Sequence, residues 1–144
     1  MHLILNRTQI REYDRLATAL CKVPSLILME NAGRGAAEFI AQRSARQSTK
    51  PKIAIVCGTG NNGGDGLAIG RLLLQKHYNV QVFVVKHSHT GSSDFRENLT
   101  RLQLQTPIHW IENTTDIPAL SPNDSVVDAL LGSGLSRPAE GILA

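Results

Sequence analysis

Short apolar runs rich in β-branched residues, separated by segments of helical length, constrain the fold of this chain more than any other feature. The clearest run is Lys52–Cys57, and similar runs follow at Val80–Val85, Pro107–Ile111 and Ser125–Leu131. Runs that are apolar at successive positions are typical of strands buried on both faces of a parallel sheet. The sequence therefore predicts four parallel strands.

Two helices are predicted before the first strand. Thr8 is a suitable N-cap for the first helix, whose apolar residues share one face: Ile10, Tyr13, Leu16 and Leu20. The second opens at Pro24 and Ser25, and its predicted inner face consists of Leu28, Ala32, Ala36, Phe39 and Ile40. Gly33 and Gly35 lower its helix propensity, which indicates that its backbone closely approaches a neighbouring element.

Further helices are predicted over Leu67–His77 and from Ser92 or Ser93 onwards, so that strands and helices alternate. With right-handed crossovers, this alternation predicts an α/β domain with a Rossmann-like, doubly wound and mainly parallel sheet in the order 3-2-1-4. Helices are expected on both faces of the sheet. The length of 144 residues fits a single domain that spans 1–144.

Composition narrows the class of protein. With 42% hydrophobic but only 4% aromatic residues, the core is expected to be aliphatic. Cys21 and Cys57 form neither a metal-binding spacing nor a disulfide framework, which favours a reducing compartment. The first residues are too few for a signal peptide, and no apolar run reaches membrane-spanning length. A cytoplasmic protein without membrane attachment is therefore expected.

In a sheet of this order, the connections reverse direction between the first and fourth strands. Ligands of such folds bind beyond the carboxyl ends of the strands at that reversal. The segments that leave these two strands, Gly58–Gly66 and Asp128–Pro138, are both rich in glycine and polar residues. Topology and composition therefore indicate the same two segments as the functional site.

Gly58–Gly63 matches the GxGxxG pattern, which lets backbone N–H groups at a helix N-terminus approach a dinucleotide phosphate. The second strand ends without the acidic residue that holds an NAD ribose, whereas Lys86 would suit the 2′-phosphate of NADP. Asp65, at the predicted helix start, would also repel a pyrophosphate, which argues against an ordinary NAD dehydrogenase. Because Lys86 could meet the 2′-phosphate, an NADP-dependent oxidoreductase is kept as one alternative. A Walker phosphate loop is excluded because no Lys-Ser/Thr pair follows the glycines.

Asn61–Gly66 places two side-chain amides and a carboxylate on a glycine-rich backbone. Oxygen ligands of this kind suit hard cations, and carbonyl oxygens can replace the hydration shell of potassium. Asp65 is predicted either to cap the following helix or to bind substrate hydroxyls, and the two roles are compatible. Asp128, which ends the fourth strand, is either a turn former or a second cation ligand.

Other polar residues near these segments are weaker candidates. Gly132–Gly134 offers further backbone donors, and Arg137 offers a cation for a phosphate. His87 and His89 alternate in an extended stretch, but no third metal ligand is evident, so both are interpreted as surface histidines.

Three motifs, Leu28–Gly33, Val56–Gly66 and Val127–Leu135, follow one another across nearly the whole chain. Together they resemble the NAD(P)H-hydrate epimerases, the YjeF-type N-terminal domain. The resemblance implies a Rossmann-like fold, usually in a homodimer, that interconverts the R and S epimers of hydrated NADH and NADPH. A dehydratase, fused to the epimerase or separate from it, would then act on the S form.

The resemblance also implies roles for individual residues. Asn62 and Asp128 would bind a potassium ion. The substrate would contact two segments, which consist of Asn61, Asn62, Gly63, Gly64 and Asp65, and of Gly132, Ser133, Gly134, Leu135, Ser136, Arg137 and Pro138. The catalytic residue is left unassigned, with Asp65 as a candidate acid/base.

One feature departs from the family's pattern. Family members continue into another strand and an Asp-Ile-Pro-Ser-Gly-like segment, which supplies a further carboxylate and a further potassium ligand, whereas this sequence stops at Ala144. The later strands of the sheet are therefore expected to be missing, and the chain is interpreted as a C-terminally truncated domain with little activity of its own. The aspartate of the absent segment is at least as good an acid/base candidate as Asp65.

Two other classes of protein are left open besides the oxidoreductase. One is a non-catalytic module that binds nucleotides or a protein partner through the same fold. The other is an RNA-associated relative that uses the basic cluster Arg43, Arg46, Lys50 and Lys52. No aromatic residues interleave with this cluster for base stacking, so a solvated surface is favoured over a nucleic-acid site.

Overall fold

The computed structural model describes residues 4–47, 51–87, 90–133 and 138–143. The helices are α1 (Arg7–Leu20), α2 (Ser25–Ser44), α3 (Asn61–Gln75) and α4 (Ser93–Gln103), and the strands are β1 (Ile53–Cys57), β2 (Val80–Val85), β3 (Ile108–Ile111) and β4 (Ser125–Ala129). Short 3-10 turns occur at Thr114–Asp116 and Gly141–Leu143. None of the described helices combines the length and the hydrophobicity needed to span a bilayer.

The four strands form one parallel sheet in the order β3-β2-β1-β4, which confirms the predicted class and strand order. Strand β1 is paired on both sides, so that Cys57 lies opposite Val84 of β2 and Ala129 of β4. The carboxyl ends of β1 and β4 are therefore neighbours. This arrangement places the segments that follow the two strands side by side.

The main core lies between one face of the sheet and helices α2, α3 and α4. It is largely aliphatic, as the composition predicts, and includes Ala37, Ile55, Leu67, Leu73, Val82 and Leu102. A smaller cluster on the opposite face of the sheet contains Ala54, Phe83, Val85 and Ile111, and no residue described in the α-helices belongs to it. The prediction of helices on both faces was therefore wrong for the described part of the chain. Two right-handed crossovers that advance in the same direction put α3 and α4 on the same face. Between β3 and β4 the described chain forms only a 3-10 turn.

The N-cap of helix α1 lies two residues before the predicted cap. Its N-cap is Asn6 rather than Thr8: the Asn6 side chain accepts from the Gln9 backbone at 3.0 Å, and the Gln9 side chain accepts from the Asn6 backbone at 2.9 Å. This reciprocal pair requires a Glu or Gln three residues after the cap, which Thr8 lacks. None of the α1 residues is buried, and Tyr13 and Leu20 are 67% and 74% exposed. The predicted apolar face exists, but the described chain leaves it largely uncovered.

The inner face of helix α2 matches the predicted one only in part: Ala36 and Ile40 pack against the core, but the most buried residues are others. Its buried residues are Met29, Gly33, Ala37 and Ser44, while Phe39 is 65% exposed. The close approach predicted at Gly33 is confirmed, because a β-carbon there would lie 3.2 Å from Cβ of Ala68 in α3. The same prediction for Gly35 was wrong, since nothing lies within 4 Å of that position. Small side chains allow α2 to approach α3 closely, and this packing turns the bulky Phe39 outward.

A partly buried ion pair joins the same two helices. The Arg71 guanidinium of α3 is salt-bridged to the Glu30 carboxylate of α2, and the two side chains are only 12% and 20% exposed. Removal of either partner would leave a poorly solvated charge, which is more destabilising than the loss of a surface ion pair. Glu30, which lies in the first family motif, therefore has a structural role in fixing α2 to α3.

Cys57 provides a chemical test of this fold. Its thiol is buried at the end of β1, and this burial raises its pKa to about 12, whereas Cys21 is exposed. Because the thiolate is the reactive form, we expect iodoacetamide at about pH 8 to modify Cys21 readily and Cys57 only after unfolding. Mass spectrometry of protein alkylated with and without urea measures both sites, with Cys21 as the internal control. Equal labelling of the two thiols in native protein would contradict the burial of Cys57.

Candidate functional site

Helix α3 begins earlier than its sequence predicts. It starts at Asn61, with the extended residue Gly60 as its N-cap. The prediction of a loop up to Gly66 and a helix from Leu67 was therefore wrong at this boundary. The low helix propensity of the glycines is outweighed by the packing that the absence of side chains permits. Asp65 lies inside the helix, so the interpretation of this residue as the helix cap was also wrong.

Two glycines in the first turns of α3 stand where no side chain fits. A β-carbon at Gly63 would overlap the carbonyl oxygen of Gly58. A β-carbon at Gly66 would lie 2.6 Å from Cβ of Ala129 and 2.8 Å from Sγ of Cys57. The glycines thus bring the start of α3 directly onto the ends of β1 and β4.

The segments that follow β1 and β4 are in contact, as predicted. The backbone N–H of Gly58 donates to the carbonyl of Ala129 at 3.0 Å. Farther out, a β-carbon at Gly132 would lie 3.0 Å from Cβ of Asn62 and 3.6 Å from its Oδ1. The asparagine-bearing turn and the glycine-rich segment after β4 therefore form one edge of the molecule.

Asp128 lies at this edge, opposite Val56 of β1 in the strand register. It is exposed, and its Oδ1 accepts a hydrogen bond from the backbone of Leu130 at 3.0 Å, as a turn-forming aspartate does. The second carboxylate oxygen takes no part in that bond. Its role as a cation ligand stays a prediction. In the described ranges, no group of three or more His, Cys, Asp or Glu residues is arranged to hold a metal ion.

The remaining predicted substrate contacts are only partly within the described chain. Ser133 and Pro138 are exposed, and the Ser133 carbonyl accepts from the Arg11 guanidinium of α1 at 3.2 Å. The predicted residues that lie outside the described ones are Gly134, Leu135, Ser136 and Arg137, together with His89 and Lys50.

A cleft of about 570 Å³ opens beside the start of α3. All four helices contribute to its lining, which includes Asp14, Thr18, Met29, Asn61, Asp65 and Asp94. A cleft of this size accommodates a small ligand or one part of a dinucleotide. Two of the predicted substrate contacts, Asn61 and Asp65, thus face the same cavity.

Asp65 has the electrostatic environment of a proton-transfer group. Burial is the main cause that raises its pKa, and repulsion from Asp14 and then Asp94 adds to it, so that the pKa reaches about 6. A carboxyl that titrates near neutral pH can both hold and release a proton under physiological conditions. This environment favours Asp65 as an acid/base residue.

Two lysines on which alternative functions draw, Lys86 and Lys52, are engaged in ion pairs. Lys86, which the NADP alternative requires, is salt-bridged to Glu112 at 2.8 Å. Lys52, part of the basic cluster, is salt-bridged to Asp124 at 3.2 Å. Both lysine charges therefore already have carboxylate partners. This weakens the oxidoreductase alternative, and in the basic cluster it engages Lys52 alone among the four residues.

Three residues near the site were missed by the sequence analysis. Nε2 of His87, interpreted as a surface histidine, accepts from the backbone N–H of Thr59 at 3.1 Å. Its position just after the second strand was an available signal, since this strand ends at the same edge of the sheet. Asp14 and Asp94 gave no such signal, because only the packing of α1 and α4 brings them to the cleft.

Comparison with known proteins assigns the chain to a family. The family model described as YjeF-related protein N-terminus matches residues 25–144. This chain belongs to that family. The match begins at α2, so the helix that brings Asp14 to the cleft lies outside the matched part of this YjeF-related chain.

The curated relatives of the YjeF-related chain share about a third of its residues. The NAD(P)H-hydrate epimerases of Rhodopirellula baltica and Rhodobacter capsulatus are 35% and 36% identical to it over 92% and 96% of its length. The bifunctional NAD(P)H-hydrate repair enzyme Nnr of Moorella thermoacetica is 36% identical over 98% of it. The chain spans 53%, 66% and 28%, respectively, of the lengths of these three relatives.

A solved structure supports the fold of the YjeF-related chain. The crystal structure of the yeast protein ynu0 superposes with a TM-score of 0.79 at 24% identity, over 96% of this chain and 60% of the yeast chain. The resemblance inferred from the three sequence motifs is thus confirmed at the level of family and fold.

Proposed function

We propose that this chain carries the substrate site of an NAD(P)H-hydrate epimerase, an isomerase that interconverts the R and S epimers of hydrated NADH and NADPH. The names of its relatives support the reaction. One observation carries the location of the site: Asp65, with its pKa of about 6, lines a cleft together with Asn61. The cleft is lined by helical residues that include these two from the start of α3, and no described residue of the segment after β4 is among them. That segment meets α3 at the adjacent residue, Asn62.

The chemistry of epimerisation requires a group that can give and take a proton. Inversion at the hydrated carbon requires that this centre be opened and closed again, and a proton moves in each direction. Asp65 shuttles this proton in the proposed mechanism. The backbone N–H groups of Asn61, Asn62 and Gly63, which precede the first hydrogen bond within α3, are suited to bind a phosphate or hydroxyl oxygen of the substrate.

Potassium is the cofactor that we propose for this site. The amide oxygen of Asn62 and the carboxylate of Asp128 would hold the ion, and both are hard oxygen ligands of the kind that such cations prefer. Gly132 packs against Asn62 with no side chain between them, which leaves its backbone close to the amide. When bound, the ion supplies positive charge for the oxygens of the hydrated nicotinamide, while proton transfer is left to Asp65.

The proposal extends to partners and location. A dehydratase that acts on the S epimer is the proposed partner, and the bifunctional repair enzyme among the relatives supports a fused arrangement. The uncovered apolar face of α1 supports a homodimer. The two free cysteines, Cys21 and Cys57, support a cytoplasmic location, where thiols stay reduced.

Replacing Asp128 with alanine is expected to abolish potassium stimulation of epimerisation, because the variant lacks the anionic ligand of the ion. The rate at which R and S hydrates of NADH interconvert is followed by liquid chromatography, in potassium and in sodium chloride at equal ionic strength. Asp116→Ala, which removes an exposed carboxylate from a 3-10 turn, serves as the matched control. Undiminished potassium stimulation in Asp128→Ala would overturn the ion site. The assay uses a full-length version of the protein, and no interconversion by its wild type would overturn the proposed function.

A further inference from the structure

His87 forms a hydrogen bond that joins the ends of two neighbouring strands. It follows β2, and its ring Nε2 accepts from the backbone N–H of Thr59, which follows β1, at 3.1 Å. The Thr59 hydroxyl lies 3.3 Å from the same ring nitrogen. Gly58 passes so close that a β-carbon there would lie 3.0 Å from Nε2. The imidazole therefore packs directly on the backbone that leads into α3.

Thr59 depends on this contact. It is only 5% exposed, and it precedes the N-cap residue Gly60, so its N–H has no acceptor within the helix. Its carbonyl accepts from the backbone N–H of Ser92, the N-cap of α4, at 3.0 Å. Thr59 is thus held between the exit from β2 and the entry to α4. Leaving the buried Thr59 N–H without an acceptor would be strongly unfavourable. The hydrogen bond to His87 therefore keeps this part of the backbone in place.

We propose that His87 is a positioning residue for the site: by holding Thr59, it fixes the backbone from which Asn61 and Asn62 begin α3. The inference rests on the proposed function only in so far as the two asparagines bind substrate and cation. His87 acts through Thr59 and needs no contact with the substrate. The hydrogen bond can be measured without any activity, so the two proposals can fail independently.

The same geometry determines where the imidazole carries its proton. Because Nε2 accepts, the neutral ring carries its proton on Nδ1, and a doubly protonated ring has no acceptor left. The Thr59 amide reports this hydrogen bond directly, so it is a cleaner probe than the reaction rate, which also depends on Asp65.

Nitrogen-15 NMR of the chain tests the proposal with two variants. In His87→Ala, the Thr59 amide is expected to exchange with solvent about tenfold faster than in the wild type. In His87→Gln, the side-chain oxygen is expected to accept in place of Nε2 and to restore the protection of the Thr59 amide. His77→Asn, which removes an exposed imidazole just beyond the far end of α3, is the control and is expected to match the wild type.

Activity supplies a second measurement. His87→Ala is expected to raise KM for hydrated NADH about tenfold, whereas His87→Gln is expected to restore the wild-type KM. Unchanged Thr59 exchange in His87→Ala, or a ring proton on Nε2 in the wild type, would overturn the proposal. If His87→Ala does not fold, the proposal is still tested by two measurements: which ring nitrogen carries the proton in the wild type, and how fast the Thr59 amide exchanges in His87→Gln. The Thr59 amide could lose protection in His87→Ala and regain it in His87→Gln while no epimerisation is detected. That result would support the role of His87 and reject the proposed function.

Discussion

Replacing Gly63 with alanine is expected to destabilise this chain by about 3 kcal/mol, enough to unfold a protein of ordinary stability under mild stress. A β-carbon at this position would overlap the carbonyl oxygen of Gly58, and a backbone atom cannot rotate away as a side chain can. Alanine otherwise favours a helix over glycine, so the intrinsic preference acts in the opposite direction. Urea unfolding followed by circular dichroism measures the change in the free energy of unfolding.

Gly35→Ala is the matched control for this prediction. Gly35 also lies inside a helix, but nothing stands within 4 Å of a β-carbon built there. We therefore expect this variant to be more stable than the wild type by about 0.5–1 kcal/mol, because alanine loses less backbone entropy on folding. A Gly63→Ala protein with wild-type stability would contradict the close contact between the start of α3 and the end of β1.

Replacing Asp65 with asparagine is expected to lower kcat for epimerisation by about 10²-fold or more, because the variant has no carboxyl to shuttle the proton. The pKa of about 6 predicts that the wild-type kcat/KM profile breaks near pH 6, and the variant should lack this break. Chromatographic measurement of the rate of epimer interconversion between about pH 5 and 8 tests both expectations. An asparagine variant that keeps the wild-type kcat and the same break would remove Asp65 from the mechanism.

The same substitution is expected to stabilise the protein. The pKa of Asp65 is raised from 3.8 to about 6, mainly by burial, so ionisation of this carboxyl opposes folding. The penalty is absent below pH 3.8, grows between pH 3.8 and 6, and is complete above that window. Asparagine carries no charge, so the Tm of Asp65→Asn should exceed that of the wild type by a few degrees at neutral pH and match it in acid.

Asp94→Asn distinguishes the electrostatic explanation from simple disruption of the cleft. Asp94 is one of the two carboxylates whose repulsion raises the pKa of Asp65, after burial and Asp14. Its neutralisation is therefore expected to move the break in the pH–rate profile to lower pH, with activity retained. A profile that stays in place would show that Asp94 does not act on Asp65.

The strand order and the contact between the segments after β1 and β4 could be predicted from the sequence because they depend on local patterns. The apolar runs specify strands, and right-handed crossovers then bring the ends of β1 and β4 together whatever their side chains are. The start of α3 could not be predicted, because Gly63 and Gly66 have poor helix propensity and are accommodated only by tertiary contact. Gly33 and Gly35 likewise look alike in the sequence, and only the rotation of α2 against α3 distinguishes the packed glycine from the open one.

Side chains that reach the site from other elements were the hardest to predict. Asp14 lies on a helix whose residues are all at least partly exposed, and nothing in its local pattern indicates that it approaches Asp65. His87 has an exposed surface, yet a single ring nitrogen turned towards Thr59 changes its role. Such contacts depend on the relative placement of elements, which periodicity and spacing do not encode.

The pairing of β4 with β1 has a consequence for how ligands and stability are linked. Asn62 meets Gly132 only when the fourth strand has docked beside the first, so a chain with β4 detached has no such junction. Any ion or nucleotide that bridges the junction must bind the completed sheet alone, and a hundredfold excess over its Kd would add about 2.7 kcal/mol to the stability of the native state. The ligand would then stabilise the state in which β4 is paired with β1. Protection of the β4 amides from hydrogen exchange would rise with the concentration of the ligand.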